Sequence, residues 1–531
     1  MAKIPATQTK PLPVLPVWFV LLLGCLVLVS GSSTLPLLDR DEPRFSRATV
    51  EMAERGDWFI PYFNGEYRFD KPPLTYWWMG VHQKLLGVNE LSCRLHAIEA
   101  TLLVAFWMCL RGRRWVGKTA AGWGALAWCL NVQVWQHGRL ALADMPMVLG
   151  LCLAMDGLWT CLKGAEEENR TGKLLLWVGL AFGFLAKGPI ALAIPAVVWL
   201  ALIVTKHTKA GDITRTNPVV GILAFLVVVG AWGIPALVKT GGEFAKVGLG
   251  EHVLERGVSA FNSRKYTPFF YLGTFFLSFF PWWLQGRCAA HYCKENKGNA
   301  NVAFLLAWGL APVLVFTCYS TQLPHYILPG FPALFLLLGA ALENRKNPTS
   351  APWGALVATG ILLAAYLAKD KIADEGFPME FVPWLALVLA GFAWLPFLSL
   401  QFGKWGALAT SVVLAIAGNG VSHEFARQHL TLKIRDAAGV TPDMVLPRQS
   451  STFAEPSLVF YLGGPWEFGG ETDIVPEGLR VESLDGQTEG TIPKGGIVVE
   501  GFNPGKGRLG KVAVFPPTSA LTHAGGEANA Q

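Results

Sequence analysis

Charge is what this 531-residue chain has least of. Charged residues make up 15% of it, against about 25% in soluble domains, and that deficit excludes an ordinary water-soluble fold. Cysteine is missing where a secreted domain would want it. Nine are present, mostly in or beside apolar runs, and none follows Cys318, so the long final stretch has no disulfide framework. There is no lysine- or arginine-rich arm and no basic patch interleaved with aromatics. The net charge of +6 therefore makes no case for a nucleic-acid partner. No internal repeat is visible. The CAAHYC run offers Cys288, His291 and Cys293 but no fourth ligand, so it reads as a plain short loop.

What is present is apolar: 52% of residues are hydrophobic. Runs of about eighteen or more recur, each long enough to span a bilayer core as a helix. The expected class is a polytopic α-helical membrane protein with a small C-terminal soluble α+β domain. After a short basic lead, 14–30 resembles a signal peptide but reads as an uncleaved first helix, since many spans follow. The others fall at 92–110, 119–135, 144–162, 173–186, 188–205, 218–237, 267–286, 301–318, 326–342, 352–368, 382–400 and 404–421, roughly thirteen transmembrane helices in all. The loop 111–118, RGRRWVGK, is short and strongly basic, which predicts a cytoplasmic side. Alternation then places 36–90, 238–266, 319–325 and everything after 421 outside. Residues 1–421 are read as the membrane domain and 422–531 as the extracytoplasmic one. In the latter a helix is expected over Glu424–Ala438, and β-like runs at Ser457–Leu462, Leu479–Ser483, Gly496–Gly501 and Lys511–Phe515. Thr518–Gln531 reads as a disordered end.

The unusual stretch is Leu38–Trp78, dense in charge and aromatics between two apolar segments. Asp41-Glu42-Pro43 starts a predicted helix running to Arg55, with Gly56 as its left-handed stop. Phe45, Ala48 and Met52 form a stripe suited to a membrane surface. By local rules alone this is a capped interfacial helix. Lys71, next to Asp70 and ahead of Pro72 and Pro73, is held extended, and the bland reading is a snorkelling lysine in an aromatic-anchored loop. Asp144 and Lys187 sit at span ends bordered by apolar residues. Glu251, His252, Glu255 and Arg256 put His252 and Arg256 on one helix face. Tyr319, His325 and Tyr326 lie at the rim of a following span. Taken singly, each has a structural explanation. Together, Asp41, Lys71, Asp144, Lys187, His252, Arg256 and Tyr326 map to one outer level of the membrane. Carboxylates and cations at a lipid–water boundary suit a phosphate-bearing lipid whose tail stays in the bilayer.

DEPRF, EMAERGDWFIPYFNGEYRFDKPPLTYW, RLALAD, AKGP, EHVLER and LPHYILP occur here in one order over nearly the whole chain. That series resembles the ArnT/PMT-like C-type glycosyltransferases, which include lipid A aminoarabinose transferases and protein O-mannosyltransferases. The resemblance implies a polyprenyl-phosphate sugar as donor and an envelope acceptor, whether lipid A or another glycolipid, a glycan or a protein. It implies transfer with inversion at the outer face of the cytoplasmic membrane. By it, Asp41 looks like the catalytic carboxylate, with Glu42 beside it and Asp144 a second acid. Lys71, Lys187, Arg256 and Tyr326 look like donor-phosphate ligands, with Arg44, Asp70 and His252 accessory. No cofactor is required by this reading; Asp70 and His252 are metal-ligand types but too few to define a cation site. Two departures stand out: Asp70 where the aminoarabinose enzymes often carry Glu, and Gln322 where they often carry Lys. The alternatives are a transporter or flippase of polyprenyl-linked sugars, and a structural membrane protein with an outer recognition domain.

Overall fold

The computed structural model describes residues 11–345 except 249, 251–266 and 268, isolated positions between 346 and 377, and residues 378–517 except 470–476 and 486–494. The chain begins with α1 (Val17–Val29), α2 (Asp41–Arg55), α3 (Leu74–Leu86) and α4 (Glu90–Trp107). It continues through α5 (Arg113–Val116), α6 (Lys118–Cys129), α7 (Val132–His137) and α8 (Asp144–Lys163). Then come α9 (Asn169–Lys187), α10 (Ile190–Val204) and α11 (Pro218–Lys239). Among the described residues, seven helices are long and apolar enough to cross a membrane, and α1 and α10 are shorter apolar helices. This is a multi-pass membrane protein.

Helix covers each expected span that the structure describes, while 352–368 lies largely outside the described residues. Two of those stretches are not single straight spans. The run 119–135 breaks where Asn131 caps α7, its side chain accepting from the Val134 N–H at 3.0 Å and donating to the Ser278 and Phe280 carbonyls. The run 267–286 holds a helix only over Phe270–Ser278 before reaching Pro281. A buried polar cap and a proline both interrupt the backbone ladder that apolarity alone predicts.

α8 and α9 form a close antiparallel pair. A Cβ on Gly150 would stand 2.6 Å from the Gly183 nitrogen, so only glycine lets the backbones approach this far. The approach brings the first residue of α8, Asp144, level with the last residue of α9, Lys187.

The segment between α1 and α4 folds on the same face as those two residues. α2 begins at Asp41, one residue after its cap position, Arg40. Asp41 and Glu42 suit the helix dipole, and Gly56 ends the helix at φ 65° with its N–H on the Ala53 and Met52 carbonyls. The stripe Phe45, Ala48 and Met52 does not lie on lipid. It is buried in a core with Tyr76, Met79, Leu458 and Val459, because the C-terminal domain covers it. After α2 a two-residue hairpin, β1 (Tyr62–Phe63) with β2 (Glu66–Tyr67), turns the chain back. The preceding loop is tied to α11: Trp232 donates to the Phe59 carbonyl at 2.8 Å and Lys239 to Asp57 at 2.5 Å.

The last membrane helix, Lys404–Gln428, crosses residue 421 without a break, and a second helix, Leu430–Ala438, follows. Strands β3 (Arg448–Ser450), β4 (Glu467–Phe468), β5 (Leu479–Ser483), β6 (Ile497–Asn503) and β7 (Arg508–Phe515) form one sheet, ordered β4-β3-β5-β7-β6. β3 runs parallel to β4 and β5, and β7 antiparallel to β5 and β6, with Val481 opposite Val514. The run expected as β-like at Ser457–Leu462 is helical instead, over Pro456–Tyr461. It is buried all round, so a short apolar run carried no period to separate helix from strand. The expected disordered end, Thr518–Gln531, lies outside the described residues.

Gly150→Leu should force α8 and α9 apart and destabilise the protein by about 1–3 kcal/mol through overpacking. Thermal unfolding in detergent checks this, and an unchanged melting temperature would show that the helices do not depend on this contact.

Candidate active site

The outer segment is pinned by one buried guanidinium. Arg94, on α4, is fully buried and places all five of its N–H groups. Two go to Glu42, from Nε and Nη2, both at 2.8 Å. The others reach the carbonyls of Ser32, Leu35 and Pro36 at 2.9, 2.5 and 2.9 Å. Glu42 also accepts the Leu38 N–H at 2.9 Å and the Ala141 N–H at 2.7 Å. Its carboxylate is thus consumed by structure. Asp41, one residue earlier, is exposed and makes no hydrogen bond or ion pair among the described residues. The charges bearing on it are those of Arg44 and Arg68. Burial and the neighbouring Arg68 push the Arg44 guanidinium below its ordinary value, and Asp41 and Asp70 pull it back.

Below this level lies a cavity of about 430 Å³ lined by Asp70, Lys71, Asp144, Lys187, His325 and Tyr326. Lys71 donates to Asp70 at 3.0 Å, and Asp70 also accepts Arg68 at 2.9 Å. Lys187 donates to Asp144 at 2.5 Å, and the Lys187 ammonium stands 5.6 Å from the centre of the Tyr326 ring. The remaining wall is apolar, built from Phe184, Ile190, Val229, Trp232, Val315 and Phe316. Such a site offers two ammonium groups to an anion and a greasy slot to whatever carries it.

A family model described as dolichyl-phosphate-mannose-protein mannosyltransferase matches residues 70–234. An undecaprenyl phosphate-alpha-4-amino-4-deoxy-L-arabinose arabinosyl transferase of Aeromonas hydrophila is 30% identical over 313 residues, covering 57% of this chain and 56% of that protein. The Yersinia pestis protein of the same name is 28% identical, over 58% and 55%. The chain thus spans about half the length of the curated relatives it matches. In three dimensions it aligns with ArnT from Cupriavidus metallidurans bound to undecaprenyl phosphate at a TM-score of 0.77, with 22% identity, over 94% of this chain and 98% of that one. The archaeal oligosaccharyltransferase AglB from Archaeoglobus fulgidus aligns at 0.50, with 13% identity, over 85% and 64%. The chain has the ArnT/PMT-like C-type glycosyltransferase fold.

Within this ArnT/PMT-like fold, Lys71, Asp70, Asp144, Lys187 and Tyr326 come together around one cavity. Asp41 and Arg44 lie on α2 outside the cavity's lining, and His252 and Arg256 lie outside the described residues. Sequence reasoning missed Arg94. It also missed Arg68 as the second partner of Asp70. His137 went unremarked although its ring lies tilted against that of His325, centroids 4.6 Å apart, with His325 Nε2 4.0 Å from Asp144. An HGRLALAD run rich in polar residues beside a span was the available signal for His137.

The C-terminal domain closes over the start of α2. Ser457 donates to Asp39 from its N–H at 2.9 Å and from its hydroxyl at 2.6 Å. Tyr461 accepts the Leu37 N–H at 2.8 Å and donates to Glu90 at 3.0 Å. Asn64 and the Trp466 backbone exchange two further bonds, at 2.8 and 2.6 Å. Burial pushes the Asp39 carboxyl up to about 7, with Glu455 adding to the rise and the Ser457 bonds opposing it. A folded value above the unfolded one of about 3.9 means Asp39 supports the fold fully below pH 4, and loses that support as pH rises towards 7. Asp39→Asn should therefore flatten this slope, so that the variant gains on the wild type between pH 5 and pH 8. Melting temperatures across that range test it; parallel curves would refute the shift.

Proposed function

We propose that this protein is a membrane glycosyltransferase that moves a monosaccharide from a polyprenyl-phosphate donor to an envelope acceptor, with inversion at the anomeric carbon. The observation that carries the proposal is one cavity that both Lys71 and Lys187 line, with walls otherwise largely apolar. The arabinosyl transferase relatives and the ArnT structure with undecaprenyl phosphate support the same donor class. The membrane part through residue 421 would hold the site, and residues 422–531 would cover it from the periplasmic side of the inner membrane.

The chemistry follows from the leaving group. The bond between the sugar carbon and the phosphate oxygen breaks, its electron pair stays on the phosphate, and an acceptor oxygen bonds the carbon. A phosphate monoester has a second pKa of about 6, so it departs without a strong general acid. What it needs is cationic stabilisation of developing charge. Lys71, Lys187 and Arg256 supply that, and the Tyr326 hydroxyl donates to the same phosphate. Asp70 and Asp144 hold the two lysines aimed before the donor arrives. Asp41 takes the acceptor's proton when the acceptor is a hydroxyl; a phosphate oxygen needs no base. Asp41 has no partner among the described residues, whereas Glu42 acts through Arg94 as a positioning residue. Arg44 offers a further cation beside Asp41, and His252 is carried by the resemblance alone.

A transporter would hold its charges near the membrane midplane in two repeated halves. Here the charged groups gather at one face, so the transfer reading is preferred. Purified protein incubated with labelled polyprenyl-phosphate sugar and envelope acceptors should form glycosylated product without a second compartment; movement of intact donor with no product would favour the transporter. Asp41→Asn should abolish transfer to a hydroxyl acceptor and leave donor binding intact. Lys187→Met should weaken donor binding about 10- to 100-fold, the worth of one charged hydrogen bond, in a titration with the donor lipid. Normal turnover by the Asn variant would remove Asp41 from the base role.

A further inference from the structure

A second cavity lies apart from the donor cavity. It is a lipid-facing groove of about 760 Å³ between α9 and α11. On α9 the donor cavity uses Phe184 and Lys187, near the outer end, whereas the groove takes the rest of the helix from Arg170 to Leu185. On α11 the donor cavity takes residues from Val229 outward, and the groove takes Asn217 to Val228. The two sites thus follow each other along the same pair of helices, the groove running from Arg170 at one end to Leu185 at the other.

The floor of the groove is built. Trp177 donates its ring N–H to the Thr216 carbonyl at 3.0 Å, and Gly221 leaves room for the ring, since a Cβ there would fall inside it. The walls are otherwise apolar and open to lipid, with Leu174, Val178 and Val220 exposed. The end remote from the donor cavity is different. Arg170 and Lys173, three residues apart on one face of α9, both line it, and neither makes a hydrogen bond or ion pair among the described residues. This is so although three glutamates follow one another at 166–168, next to α9. Glu166 pairs instead with Arg215, and Glu168 with Arg114.

An apolar slot ending in two unpaired cations is complementary to a chain with a phosphate at one end. From Asn217 to Val228 the groove runs about 16 Å, and from Arg170 to Leu185 about 22 Å, at 1.5 Å per residue. The first of these lengths is close to half of a hydrocarbon core of about 30 Å, and the second exceeds it. We propose that this groove binds an anionic phospholipid of the leaflet opposite the donor cavity. Its phosphate is held by Arg170 and Lys173, and one acyl chain lies over Trp177 towards Leu185. The lipid is a second ligand, and its site does not depend on the transfer reaction proposed above.

The test uses the full chain purified in detergent, titrated with phosphatidylglycerol and with phosphatidylcholine, and read by native mass spectrometry. One phosphatidylglycerol per chain should be retained in preference to phosphatidylcholine. Arg170→Gln with Lys173→Gln should cut its occupancy about 30-fold, as expected for two surface cations. Ala224→Trp, which fills the groove on a lipid-exposed face without touching a charge, should also displace it. Equal retention of the two lipids overturns the proposal. So does unchanged phosphatidylglycerol binding in either variant, or co-purified polyprenyl phosphate lost on Ala224→Trp, which would make the groove a tail channel for the donor.

Discussion

The architecture of the outer face depends on the Arg94–Glu42 pair. A guanidinium fully out of water is tolerable only when every N–H is matched, and here each one is. The partners come from four places: the end of α1, the strand of chain leading to α2, the first turn of α2, and, through Glu42, the backbone at Ala141. Withdrawing either partner from such a pair costs about 3–5 kcal/mol, because the other is left buried and charged. The pair therefore behaves as a joint between the membrane helices and the segment that carries Asp41. It also explains why two adjacent acids differ so much: Glu42 points inward and is used up, Asp41 points outward and is left free.

A second constraint acts through backbone packing. Glycines on α8 and α9 let the helices touch, and that contact sets Asp144 against Lys187 at their common end. The carboxylate orients the ammonium inside an otherwise apolar wall, as Asp70 does for Lys71. Two cations paired in this way are tolerable within a membrane. On its other side α9 forms, with α11, the lipid-facing groove.

The C-terminal sheet domain is joined to this arrangement rather than hung from it. Its short helix Pro456–Tyr461 packs on α2, and Ser457 and Tyr461 bond the backbone and side chains of Leu37–Asp39. The start of α2 is thus gripped from both sides, by Arg94 in the membrane part and by Ser457 above. Movement of the domain and movement of Asp41 are for that reason mechanically linked.

Much of this was legible in the residues themselves. Apolar runs placed the spans, and Asp41 to Gly56 announced a helix with its correct stop, because backbone propensities and bilayer dimensions are local properties. The meeting of Lys71, Asp144, Lys187 and Tyr326 was anticipated only as a shared level of the membrane, since counting spans gives height but not position around the bundle. The roles of Glu42 and Arg94 were out of reach, as a buried ion pair between residues far apart in the chain leaves no periodic signal. The helix at Pro456–Tyr461 and the burial of Phe45, Ala48 and Met52 were likewise decided by one another, when two apolar surfaces with no local preference found a partner. What the sequence by itself determined was the class, the spans and the residue types able to hold a phosphate-borne sugar. Which acid is spent on structure, which one points outward, and where a groove opens between α9 and α11 were decided only by tertiary packing, because those outcomes depend on which groups exclude water from which.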